Sequence, residues 1–296
     1  MFGIFKALMG ALALCLISFN LSAADFNYGP QPFGPHKTSE KWGTYYSEAA
    51  DGDVRYLLVK PDDKKAYPGI YYIYGRPGLD HRLVPELHRL ASYGYTVFVA
   101  HFQEALLIPI LLPNTDPPET VQVQIDGFNE LLKLKERAPG KVCVAATVRG
   151  GYYGVKLASR KEAACYVGYH PVFVNHSWPE QMQDVTILDD IRKVKVPTLL
   201  MVGGADYAVR RNQSVRAAGY LKKNNVPVDL VIYPGAKRGF DFRTAKRSLG
   251  DDLAKIDSMN RTVAFLKNNI GKKGKHVAKL DSNAAAPLMT KIRLSQ

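Results

Sequence analysis

Short apolar runs alternate along this chain with stretches whose apolar positions recur every three or four residues, which predicts strands alternating with helices. The first two strands, WGTYYSE (42–48) and VRYLLVK (54–60), mix aromatic and β-branched residues around Asp51-Gly52-Asp53, a hairpin signal. GIYYIYGRPGLD (69–80) reads as a buried strand running into a loop of Gly75, Arg76, Pro77 and Gly78. LVPELHRLASYGY then places Leu83, Leu87, Leu90 and Ala91 on one helical face, and Gly94 ends the helix. YTVFVA follows as a strand with His101 just past its end, and over 120–136 Val121, Ile125, Phe128 and Leu132 share a helical face. Further apolar runs start at Val142, Ala163, Val196 and Val228, with helices predicted behind Asp206 and over 252–269. Residues 25–41, rich in Gly and Pro, predict an irregular arm, residues 172–195 a variable loop, and no segment repeats another. The pattern implies a mostly parallel central sheet flanked by helices on both faces.

Composition changes this picture at the ends. Residues 1–24 carry Lys6, an apolar core and small residues at Ser22 and Ala24, with no acidic side chain before Asp25, so they read as a signal peptide cleaved after Ala24. The expected location is therefore secreted or periplasmic. An uncleaved anchor helix is the alternative, and Leu14 before Cys15 argues against a lipoprotein site. Residues 25–270 suffice for one α/β domain, and residues 271–296 form a basic tail with no sustained period, expected to be disordered and to touch an anionic surface. The net charge of +13, of which only Lys6 leaves with the leader, favours anionic partners. No nucleic-acid motif, metal-ligand spacing or cofactor signature is present, and oligomeric state is not legible. Cys143 and Cys165 sit on strands expected to be neighbours; small apolar fillers are favoured there over a disulfide, which an oxidising compartment would permit. ALLIPILLP (105–113) needs burial and reads as pocket wall or lid, with a membrane-touching patch as the alternative.

The chemistry gathers on residues 142–154, VCVAATVRGGYYG: an apolar strand, a tight turn with paired glycines and a helix start, the layout of a nucleophile elbow. Two further motifs follow in order, VPTLLMVGGADYAV (196–209) and VDLVIYPGAKRGF (228–240). In the form G-x-C-x-G-G the elbow resembles that of the dienelactone hydrolase family, with Ala146 at the first glycine, Val148 at the tip, Arg149 after it, and Gly150 and Gly151 closing the turn. The third motif is similar to that family's Y-P-G-A-x-H-x-F loop, with Tyr233, Pro234, Gly235, Ala236, Gly239 and Phe240 matching and Arg238 at the His position. The resemblance covers about residues 50–270 and implies an α/β-hydrolase fold. It also implies that the family's Cys, Asp and His triad stands here as Val148, Asp206 and Arg238, so that only the acid remains.

Valine has no lone pair and arginine stays protonated, so ordinary acyl transfer is not expected. An Asp206–Arg238 salt bridge is expected instead, in the place of the acid–His contact. Gly75, Arg76, Arg149, His170 and Arg238 are the expected ligand-binding set: the loop after the third strand and the Arg149 N–H line up as oxyanion donors, and the cations, with Lys237, surround the helix N-terminus. This favours a non-catalytic binder of a small anionic ligand. The alternative is an unconventional hydrolase of a small ester or lactone in which His170 or His101 activates water; Thr147, Tyr152 and Tyr153 are better explained by packing.

Overall fold

Parallel neighbours require crossovers, and the helical stretches between the apolar runs supply them. The computed structural model describes residues 33–110, 116–174 and 189–271, and the residues from Phe33 on cluster as one unit. β1 (Thr38–Ser47) and β2 (Gly52–Pro61) pair as an antiparallel hairpin across a short turn in which Asp51 adopts φ 50°. β3 (Gly69–Ile73), β4 (Thr96–Ala100), β5 (Val142–Thr147), β6 (Ala163–Tyr169), β7 (Thr198–Gly203) and β8 (Val228–Tyr233) are mutually parallel. β2 joins them antiparallel to β4, giving the order β1-β2-β4-β3-β5-β6-β7-β8. The elbow strand β5 is thus central, with the loops after β3 and β6 on either side of its end. The helices with both ends among the described residues are α1 (Val84–Ser92), α2 (Phe102–Ala105), α3 (Glu119–Lys133), α4 (Gly150–Ala158), α5 (Ala208–Lys223) and α6 (Leu249–Asn269).

Alternation along the strands assigns helices to faces. Tyr72 and Tyr169 line a cavity together with Glu86 of α1 and Lys255 of α6, whereas Tyr71 donates a hydrogen bond to Gln124 of α3 at 2.9 Å and Tyr166 abuts Gly154 of α4. Helices α1 and α6 therefore cover one face, α3 and α4 the other. Tyr71, Phe98, Phe128 and Tyr166 are fully buried, so aromatic surface dominates the core.

Four expectations need correction. Thr38–Lys41, expected in the irregular arm, are the start of β1, because the hairpin register extends to Thr38 opposite Pro61. On α3 the buried face is Thr120, Val123, Gln124, Gly127, Phe128 and Leu131, while Val121, Ile125 and Leu132 are half-buried. The reason is polar: Tyr71 and Tyr45 bring hydroxyls into the core, so the helix turns Gln124 and the Val123 carbonyl toward them. Gly127 makes room, since a Cβ there would lie 2.6 Å from the Tyr71 hydroxyl oxygen. Third, Leu107 and Ile110, expected to be buried, are exposed, while Ile108 is buried. Fourth, Cys143 and Cys165 form a disulfide rather than acting as separate fillers; they are direct register partners on β5 and β6, with Cα atoms 4.7 Å apart. The leader and residues 25–32 of the expected arm, residues 111–115 including the end of the apolar stretch, residues 175–188 of the expected variable loop and the tail from 272 lie outside the described residues. Among the described residues no helix is long and apolar enough to cross a membrane.

The disulfide closes a loop of 22 residues in sequence, so Cys143→Ala with Cys165→Ala is expected to lower unfolding free energy by about 3 kcal/mol. Urea denaturation of the oxidised, reduced and double-variant proteins checks this, and equal midpoints for all three would contradict it.

Candidate functional site

The centre of the site is the end of β5. Val148 adopts φ 51°, a left-handed conformation that is rare for a β-branched residue. Two backbone bonds to the β6 side hold it there: the Val148 N–H donates to Tyr169 O at 2.9 Å, and the Val172 N–H donates to Val148 O at 2.8 Å. Close approach explains the glycine that follows, because a Cβ on Gly150 would stand 2.4 Å from the Ile73 carbonyl oxygen. Helix α4 starts at Gly150 with no side-chain cap, and the N–H groups of Arg149 and Gly150 have no acceptor among the described residues. Gly75 lies directly against the tip, since a Cβ added there would meet the Val148 Cβ at 3.1 Å. The loop after β3 thus sits where an oxyanion loop is needed, with Arg76 half-buried beside it and its carbonyl accepting from Gln103 Nε2 at 3.3 Å.

Arg149 contributes its backbone but not its side chain. The guanidinium, expected at the pocket mouth, is buried, with Nη1 2.8 Å from Asp116 Oδ1. Asp116 Oδ2 also accepts from the Tyr153 hydroxyl at 2.6 Å. The ion pair lacks a well-aligned hydrogen bond, and Arg149 Nε and Nη2 are buried without acceptors among the described residues. Burial lowers the pKa of Arg149, opposed by Asp116. Asp116 was not legible as a partner, since its segment carries no motif and the contact is set by tertiary packing.

His170, expected to face the ligand crevice without an acidic partner, is buried and has one. It adopts φ 46°, packs edge-on against Phe240 with ring centroids 4.2 Å apart, and places Nε2 3.1 Å from Asp241 Oδ1. The Gly239 N–H also approaches Nε2, at 3.2 Å, and one nitrogen cannot both donate and accept; the carboxylate is the stronger partner, which puts the proton on Nε2. Asp241 in turn lines a cavity of ≈ 10 Å³ between α1 and α6, the scale of one water molecule. His101 is partly exposed, with Nδ1 2.6 Å from Glu104 Oε2, which also pairs with Arg55.

Asp206 and Arg238 do not form the expected salt bridge. Asp206 Oδ1 accepts the Tyr207 N–H at 2.7 Å, a local bond at the start of α5, and the Arg238 guanidinium lies over the Tyr207 ring, 5.9 Å from its centroid. Tyr207 is thus contacted by both groups in place of a direct pair. The loop carrying Lys237 and Arg238 is fixed from below: Asp251 accepts the Lys237 N–H at 2.6 Å and the Ser248 N–H at 2.9 Å, closing a capping box on α6. Burial opposes the Asp251 charge, but those N–H donors outweigh it and hold the carboxyl below its usual range.

An elbow in the middle of a parallel sheet, with the second and third motifs after β7 and β8, is the arrangement the resemblance implied. The sequence profile of the dienelactone hydrolase family matches residues 54–270. The chain belongs to that family. It is 33% identical over 92 residues to the acylamino-acid-releasing enzymes of Rattus norvegicus and Mus musculus, a stretch that is 31% of this chain and 11% of those relatives. This family member therefore aligns with about a tenth of the length of the curated relatives it matches. Its fold is shared with the acylaminoacyl peptidase of Pyrococcus horikoshii, with a TM-score of 0.64 and 17% identity over 81% of this chain and 43% of that one. A Klebsiella pneumoniae subsp. pneumoniae chain assigned as a dienelactone hydrolase gives 0.57 and 14% over 76% and 98%. At these identities the structural likeness speaks to the α/β-hydrolase fold alone.

Two measurements follow from this geometry. Asp116→Asn leaves the buried Arg149 charge uncompensated and is expected to cost about 3–5 kcal/mol in urea unfolding, most of it regained in Asp116→Leu/Arg149→Met. Asp251→Asn is expected to cost about 1–2 kcal/mol at neutral pH. Because the folded-state pKa of Asp251 is depressed, its stabilisation is present above the unfolded carboxylate range and disappears as pH falls through the folded value. Wild type and variant should therefore converge in acid, and a constant gap across the acid range would exclude the charge as its source.

Proposed function

We propose that this family member is a non-catalytic binder of a small anion, a carboxylate or ester-like ligand, at the elbow. The observation that carries the reading is Val148: the backbone keeps the elbow's left-handed tip while the side chain there has no lone pair to attack with. Arg238 at the base position stays protonated and cannot take a proton. In the serine hydrolase subtilisin, loss of nucleophile or base alone lowers kcat roughly 10⁶-fold. What the elbow retains is its capacity to hold negative charge: the Arg149 and Gly150 N–H groups, the N-terminus of α4, and the Arg238 cation, which no carboxylate pairs among the described residues. Asp206 opposes binding on the same edge. The proposal includes export, with residues 1–24 removed, and contact of the basic tail with an anionic surface.

A second reading is favoured by one contact, the partly exposed His101–Glu104 pair, which suits a base activating water on a small ester or lactone. Its weakness is position, since β4 stands two strands from β5, about 10 Å across the sheet.

A thermal-shift panel of small carboxylic acids, run on wild type and Arg238→Ala, separates the readings. At least one acid should raise the wild-type Tm, and the shift should shrink in the variant; no shift, or equal shifts, removes the binding site. Turnover of an activated ester at about 1 per second or faster, abolished in His101→Ala, would establish the hydrolase reading instead.

A further inference from the structure

We propose that the carboxyl edge of the sheet docks on an anionic lipid surface, an inference independent of what the elbow binds. Eight large hydrophobic side chains are exposed among the described residues, and six of them, Tyr46, Leu107, Ile110, Tyr207, Val209 and Leu249, stand at this edge. Topology places each one there. Tyr46 pairs with Asp53, three residues beyond the Tyr56↔Ala100 pair that ends β4. Leu107 and Ile110 follow β4, Tyr207 and Val209 follow β7, and Leu249 opens α6 beside Gly235, whose carbonyl the preceding Ser248 hydroxyl contacts at 3.2 Å just past β8.

Their exposure is not marginal: Leu107 is 86% exposed, Tyr207 71%, Val209 70% and Ile110 63%. Leu107 also sits at φ 51°, where an Asn or Gly would be less strained, so neither the local backbone nor the core accounts for an aliphatic residue there.

The spacing of these groups selects the kind of partner. They run from β1 to β8, seven strand spacings or about 34 Å. A small ligand does not reach all of them, whereas an extended surface does. Charge selects its chemistry. At the β7–β8 end of this edge, the first turn of α5 carries Arg210 and Arg211 and the loop after β8 carries Lys237, Arg238, Arg243 and Lys246, against Asp206 and the buried Asp241, and the whole chain is +13. Two guanidiniums, of Arg210 and Arg238, lie within 6 Å of the exposed Tyr207 ring, at 5.4 and 5.9 Å, an aromatic and cationic cluster suited to a headgroup layer. Face-to-face pairing of two copies would bring these cations together, so charge disfavours it.

The test uses the full chain in co-sedimentation with vesicles. Vesicles of phosphatidylcholine and phosphatidylglycerol in equal parts should bind it, and phosphatidylcholine alone should bind it at least tenfold more weakly, on the order of one charge-sensitive step per exposed cation. Leu107→Asn with Ile110→Asn, chosen because Asn tolerates the left-handed backbone at 107, should weaken partitioning about tenfold with an unchanged Tm. Arg210→Gln with Lys246→Gln should weaken it about 25-fold, about fivefold per charge, and flatten its salt dependence. Wild-type binding that ignores phosphatidylglycerol, or variants that bind as wild type does, overturns the proposal. A lipid-free dimer abolished by Leu107→Asn/Ile110→Asn would also overturn it, in favour of a second copy on this edge.

Discussion

Val148 is held left-handed in the middle of the sheet, and much of the upper edge is arranged around that constraint. A β-branched residue in this conformation costs of the order of 1–3 kcal/mol and persists only where its surroundings over-determine it. Here they do so through the two bonds to Tyr169 and Val172, the glycine that lets α4 begin against the Ile73 carbonyl, and Gly75 packed on the Val148 Cβ. The turn aims the helix N-terminus, and two N–H groups with no acceptor among the described residues, at the space above Val148.

The cations near that turn divide by burial. Arg149 is neutralised by Asp116 inside the protein, where its role is to tie the segment before α3 to the elbow helix beneath Tyr153. Arg238 stays near the surface on a loop pinned from below by Asp251, with Arg243 donating to its carbonyl at 2.7 Å. With no carboxylate paired to it among the described residues, Arg238 would meet an anion without first being released from a salt bridge such as one to Asp206.

How much of this was legible depends on whether the signal was local. The strand and helix order, the elbow and the three motif positions follow from periodicity and glycine placement, and each appears where the residues put it. The partners of Arg149 and His170 do not follow, since Asp116 and Asp241 lie 33 and 71 residues away in sequence and meet them only through packing. The α3 face was misjudged for a related reason. Counting apolar positions assumes an apolar core, whereas this one contains the hydroxyls of Tyr45 and Tyr71 and requires Gln124 and a backbone carbonyl to meet them. Cys143 and Cys165 were correctly placed on neighbouring strands, but bonding depends on register, and the register slips between Val142 and Cys143 in a way no periodicity encodes.

The opposite end of His170's environment argues against a role for it at the elbow. Behind it lies a polar layer between α1 and α6 in which Glu86 meets Arg89 at 2.8 Å and Lys255 at 2.7 Å, with Asp241 across a cavity of single-water size. Burial raises the Glu86 pKa despite those two cations, so the layer is electrostatically tense, and each of its charges depends on the others staying in place. Swinging His170 out toward the elbow would leave Asp241 without its donor beside Glu86, two carboxylates sharing a small buried space. That repulsion, together with the Phe240 ring packed on the imidazole, fixes His170 as a structural link between the end of β6 and the loop after β8.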